Sequence, residues 1–233
     1  MKNKNNHKLN EVVNIIAGDR HRTNLLRNAE QKTIAFLVQR IPGWLTSDML
    51  TAIGFSGNLI ILASFVLARF QNINYLLFGV LGFAISWFGD SLDGRLAYYR
   101  NKQRKWYGFA LDITVDWIGV AVIGFGFILY VSGFSKLLGF FFVILYGWEM
   151  LTAMLRYKIS DKYSIDSGIL GPTEVRIVIS LFLITEVLFK HSILLLIGIA
   201  CVILFISNII EMVRLLKMAN EKDRELREEE NNK

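Results

Sequence analysis

Residues 49–68 run for twenty positions without a charged side chain. That length matches the hydrocarbon core of a bilayer, where no water is available to peptide groups. The segment must therefore satisfy its hydrogen bonds internally, as a helix. Five more apolar runs follow, at residues 73–89, 117–135, 137–155, 177–189 and 192–210. The fourth of the six contains Glu149, and the fifth is short, with Glu186 near its far end. This pattern predicts an all-α membrane protein with six transmembrane helices. A hydrophobic fraction of 53% and a mean hydropathy of +0.41 agree with it.

The flanks are polar. Residues 1–32 form a basic N-terminal segment without the apolar core of a signal peptide, so no cleavage is expected. Apolar residues then recur at Ile34, Leu37, Ile41 and Trp44 among Lys32, Gln39 and Arg40. That spacing predicts an amphipathic helix in the membrane interface, broken at Pro42-Gly43. The membrane domain is read as residues 33–217, followed by a charged C-terminal tail at 218–233. With the N-terminus inside, 23 of the 26 Lys and Arg residues fall on one side of the membrane, and only Arg69, Lys136 and Lys190 on the other. The bias predicts cytoplasmic N- and C-termini. It also explains the net charge of +6 as topology and attraction to anionic lipid, without nucleic acid as a partner. Cys201 has no second cysteine to pair with, and His7, His21 and His191 are scattered, which excludes a disulfide and argues against a histidine-ligated metal.

Four carboxylates interrupt this apolar plan. Asp90-Ser-Leu-Asp93-Gly94-Arg95-Leu-Ala97 closes the second run, and Gly108-Phe-Ala-Leu-Asp112-Ile-Thr-Val-Asp116 opens the third. On a helix Asp90, Asp93, Gly94 and Ala97 share an arc of roughly 100°. Gly108, Asp112 and Asp116, four apart, form a second stripe with about 6 Å between successive turns. Two such faces brought together would concentrate negative charge that only cations can offset. Oxygen donors suit a hard divalent ion, so one or two Mg²⁺ or Mn²⁺ ions are expected on Asp90, Asp93, Asp112 and Asp116, at the cytoplasmic end.

The same residues resemble the signature of the CDP-alcohol phosphatidyltransferase family, Asp-x-x-Asp-Gly-x-x-Ala-Arg and, after a short spacer, Gly-x-x-x-Asp-x-x-x-Asp. Seven specified positions match within 27 residues; the departure is Tyr98, where the pattern has Arg. The resemblance implies transfer of a phosphatidyl group from a CDP-linked lipid, such as CDP-diacylglycerol, to a small alcohol, with release of CMP. It implies that Asp93, Gly94, Ala97 and Gly108 meet the CDP moiety and that Asp116 accepts the proton of the incoming hydroxyl. It also implies a homodimer.

Basic residues at the same rim, Arg100, Arg156, Lys158 and Arg176, are candidates for binding phosphate on donor or acceptor. Interface snorkelling is the plain alternative for them. Gly94 and Gly108 either admit a diphosphate to the backbone or pack helices closely. A divalent-cation transporter would use the same acids without nucleotide, and the missing arginine at position 98 leaves a catalytically inactive relative open.

Overall fold

The computed structural model of the chain describes residues 12, 13, 26–160 and 171–231, with Arg27 as backbone only. Most of the predicted N-terminal segment therefore lies outside the described residues. The described chain is helical. Helix α1 spans Arg27–Val38, α2 Ser47–Phe70, and α3 Leu76–Tyr99 after a 3₁₀ turn at Ile73–Tyr75. Helix α4 spans Lys105–Tyr130, and α5 covers Lys136–Ser160 after a second 3₁₀ turn at Gly133–Ser135. Helices α6, Pro172–Leu188, and α7, Ser192–Asn231, complete it.

Local chemistry sets the boundaries. Thr46 caps α2, its hydroxyl accepting from the Met49 amide at 3.2 Å, while Asp48 in the first turn and Arg69 in the last complement the helix dipole. Pro172 starts α6 where no intrahelical N–H is needed, and the Glu174 carboxylate accepts from the Gly171 amide at 3.0 Å. The turn before α5 uses Gly133 at φ +61°, a conformation that favours glycine.

Five segments are long and apolar enough to cross a membrane: Ser47–Phe70, Ile73–Tyr99, Lys105–Tyr130, Gly133–Ser160 and Ser192–Asn231. By length and composition this is an integral membrane protein. The run expected as the fifth of six spans folds as α6, a helix of 17 residues. It nevertheless runs between the same two ends as its neighbours. Arg176 near its start meets Asp90 of α3, and Glu186 near its finish meets Tyr130 at the end of α4. The helices close a ring in which α2 touches α3, α3 touches α6, α6 touches α7, α7 touches α5, α5 touches α4, and α4 returns to α2.

Helix α1 packs across one end of this ring. It ends before Pro42-Gly43, as expected, but its apolar face is covered by protein. Ile34, Ala35 and Val38 are buried with Leu50 of α2 and Leu92 and Leu96 of α3. Phe36 and Trp44 remain exposed. Two polar contacts tie α1 to α6: the Leu26 amide donates to Glu174 at 2.9 Å, and the Thr173 hydroxyl to Glu30 at 2.7 Å.

The most intimate pair is α2 with α3, and glycine makes it so. A Cβ placed on Gly57 would lie 2.5 Å from the Gly82 carbonyl oxygen, and one on Gly89 would lie 2.3 Å from the Gly54 amide nitrogen. Backbones this close gain dispersion contacts that larger residues would forbid. Gly89→Val is therefore expected to destabilise the protein by about 1–3 kcal/mol or more, read as a lowered Tm in detergent. Gly43→Ala, with open space around the added methyl, should leave Tm in place.

Candidate active site at the acidic end of the bundle

The α2–α3 seam fixes where the last turns of α3 go, and with them Asp90. Helix α4 comes back antiparallel, carrying Asp112 and Asp116 on consecutive turns. Asp90, Asp112 and Asp116 each offer an oxygen, and these atoms lie within 4.8 Å of one another. All three side chains are partly buried. An oxygen-only donor set at this spacing fits a hard divalent cation.

Asp93 lies outside this group. It is buried, with one oxygen accepting from the Thr51 hydroxyl at 2.6 Å and the other turned to the Gly94 amide. Its carbonyl accepts from Ser47 at 2.7 Å. Ser47 and Thr51, one turn apart on α2, thus hold the signature segment of α3 in register; sequence reasoning missed both, since polar residues opening a helix are ordinary.

Arg176 completes the cluster. Its guanidinium pairs with Asp90 at 2.7 Å, at the start of α6. From the sequence it is a rim cation for substrate phosphate; the structure places it directly among the acids, as their counter-charge. Tyr146 of α5 stands within electrostatic reach of Asp116, Arg176, Asp90 and Glu149. Gly147 lets α5 approach, since a Cβ there would meet the Trp117 ring at 2.6 Å, next in chain to Asp116. No sequence signal marks Tyr146, one aromatic residue in an apolar run.

The other basic candidates divide. Lys158 is exposed at the end of α5. Arg156 forms an ion pair with Glu211 of α7, which also holds Arg214 at 2.7 Å. Arg100 caps the α1–α2 connection, donating to the carbonyls of Leu45, Ile41 and Pro42. Arg100 and Arg156 are thus engaged within the protein, as Arg176 is with Asp90. Tyr98 is exposed at the end of α3, whereas Arg95 is buried.

The two motif glycines differ from those of the α2–α3 seam. A Cβ on Gly94 or on Gly108 would have nothing within 4 Å. Neither is a close-packing glycine; both leave open space beside the acids. Ala97, one turn beyond Gly94, is partly buried.

The family model for CDP-alcohol phosphatidyltransferases matches residues 44–213, from just before α2 into α7. The chain belongs to this family. No curated protein matches it in sequence. For a CDP-alcohol phosphatidyltransferase, transfer of a substituted phosphate group from a CDP-alcohol is the family's reaction.

If Asp90, Asp112 and Asp116 hold a cation together, Asp112→Asn should weaken Mn²⁺ binding by more than the roughly tenfold that loss of an outer partner costs, measured by electron paramagnetic resonance. Arg176→Gln removes a competing cation and should tighten Mn²⁺ by about fivefold, equivalent to ~1 kcal/mol.

Proposed function

We propose that this protein transfers a phosphatidyl group from a CDP-linked lipid such as CDP-diacylglycerol to a small alcohol, releasing CMP, in phospholipid synthesis. The observation that carries the proposal is the three-carboxylate cluster flanked by two glycines with open space at Cβ. A cation path needs the acids but gives those glycines no role. A diphosphate needs both, because its oxygens must approach the backbone closely.

In the reaction the acceptor hydroxyl oxygen bonds to the β-phosphorus of the donor. The bond from that phosphorus to the oxygen leading to CMP breaks, and CMP takes the electron pair. When bound, one or two Mg²⁺ or Mn²⁺ ions supply positive charge to the diphosphate and the departing CMP. Asp90, Asp112 and Asp116 would hold them, joined through similarity to the family by Asp93. Asp116, last in the α4 stripe, accepts the hydroxyl proton, a role that depends on its geometry relative to the acceptor. Arg176, and Lys158 at the rim, offer positive charge to substrate phosphate. Asp93, Gly94, Ala97 and Gly108 form the wall for the CDP moiety.

The charge split of the sequence orients the molecule in this reading. The acidic end faces the cytoplasm with both termini, α1 lies at that interface, and α6 serves as a sixth span. A homodimer is carried over from the family. The domain limits of 33–217 and 218–233 remain part of the proposal.

Purified protein in lipid, given CDP-diacylglycerol, Mg²⁺ or Mn²⁺ and a panel of alcohols, is expected to release CMP with one acceptor. Asp116→Asn should abolish the release. Folded, metal-binding protein that releases none with any acceptor would remove the transferase reading and leave the inactive relative. Gly108→Leu separates the two roles of the motif glycines. We expect an unchanged or higher Tm, since leucine favours a helix over glycine by roughly 0.8 kcal/mol, together with loss of CMP release.

A further inference from the structure

A second polar site lies at the opposite end of the bundle. A cavity of about 420 Å³ opens among the finish of α2, the start of α3, the finish of α4 and the α6–α7 turn. Measured along α4 from Asp116 to Tyr130, it is ~21 Å from the acidic cluster. Its lining includes Arg69, Asn72, Tyr130, Glu186, Lys190 and His191.

The charge of this cavity runs against the general bias of the chain. The end of the bundle that receives only three of the 26 basic residues places two of them, Arg69 and Lys190, around one opening. Among the described residues neither forms an ion pair or a hydrogen bond. The one carboxylate nearby is already engaged. Glu186 is buried and accepts four hydrogen bonds: from the Tyr130 hydroxyl at 2.7 Å, the His191 amide at 3.1 Å, the Ser192 hydroxyl at 3.3 Å and the Ile193 amide at 2.9 Å. One of those bonds also takes the Ile193 amide in the first turn of α7. What remains is a pair of cations without an ion-pair partner among the described residues, one from the end of α2 and one from the α6–α7 turn, with a histidine beside them, lining the hollow.

We propose that this cavity binds a phosphate-bearing anion, with Arg69 and Lys190 as its charged contacts. A phospholipid of the leaflet opposite the active site fits the surroundings. Its head group would enter the cavity, while the exposed Phe70, Phe134 and Phe189 at the same end offer apolar surface to its chains. The recognition would be the charge pairing by which basic pockets on the cytoplasmic side of other membrane proteins hold lipid head groups, here on the opposite side. A soluble phosphate would satisfy the same cations without using the apolar surface.

Thermal unfolding of the full chain in neutral detergent tests the site by titration with phosphatidylglycerol, with phosphatidylcholine of equal chain length, and with inorganic phosphate against chloride at equal ionic strength. The doubly substituted Arg69→Gln, Lys190→Gln protein is titrated in parallel. A saturable rise in Tm with phosphatidylglycerol is expected, at least about tenfold weaker in the variant, as befits loss of a charge-assisted contact. Response to the lipid alone assigns a lipid head group; an equal response to inorganic phosphate assigns a soluble anion. Equal titrations of wild type and variant with every probe overturn the proposal. The variant's own folding is checked by its unliganded Tm, and Arg69→Lys, Lys190→Arg should restore binding if charge is what matters.

Discussion

Close approach of α2 and α3 is the contact on which the other helices depend. Gly54 and Gly57 on one helix meet Gly82, Ser86 and Gly89 on the other with backbone against backbone. In a bilayer there is little hydrophobic gain from hiding one apolar face against another, so such fit supplies the association. The seam reaches Asp90, whose amide nitrogen would lie 3.1 Å from a Cβ on Gly54. Any shift in its register would move the first carboxylate along the bundle axis and separate it from Asp112 and Asp116. Asp93 locks the same register from the side, through the hydroxyls of Ser47 and Thr51.

Several buried polar groups elsewhere are answered by a neighbouring helix. Asn208 of α7 donates to the Leu145 carbonyl of α5 at 2.8 Å, and Glu211 takes Arg156. Glu186 gathers the α6–α7 turn and the end of α4. A polar atom left alone among lipid chains costs several kcal/mol, so these pairings restrict which helices can be neighbours. The closed ring of six helices accommodates these pairings together.

Much of this was legible in the sequence, for identifiable reasons. Apolar run lengths are set by bilayer thickness, and the Asp112–Asp116 stripe by helical geometry, so both read directly. The convergence of Asp90 with that stripe follows from two antiparallel helices joined by a short connection. Other features depend on which helix faces which, and composition does not encode that. The burial of α1 against Leu92 and Leu96, the capture of Arg100 by three carbonyls, and the seat of Tyr146 are of this kind. Gly94 belongs to the signature and Gly89 does not, but only their surroundings show that one faces space and the other a backbone. Arg176 was visible as a cation near the rim, but its pairing with Asp90 needed α6 to be placed beside α3.

That pairing bears on how the protein is made. Three carboxylates packed together would ordinarily repel one another until an external ion arrived. Here the chain brings its own guanidinium to them, from a helix that is synthesised later. Zinc fingers and similar small domains remain unfolded without their metal, because metal binding is their folding free energy. Here the Arg176–Asp90 pair supplies part of that counter-charge from the chain itself.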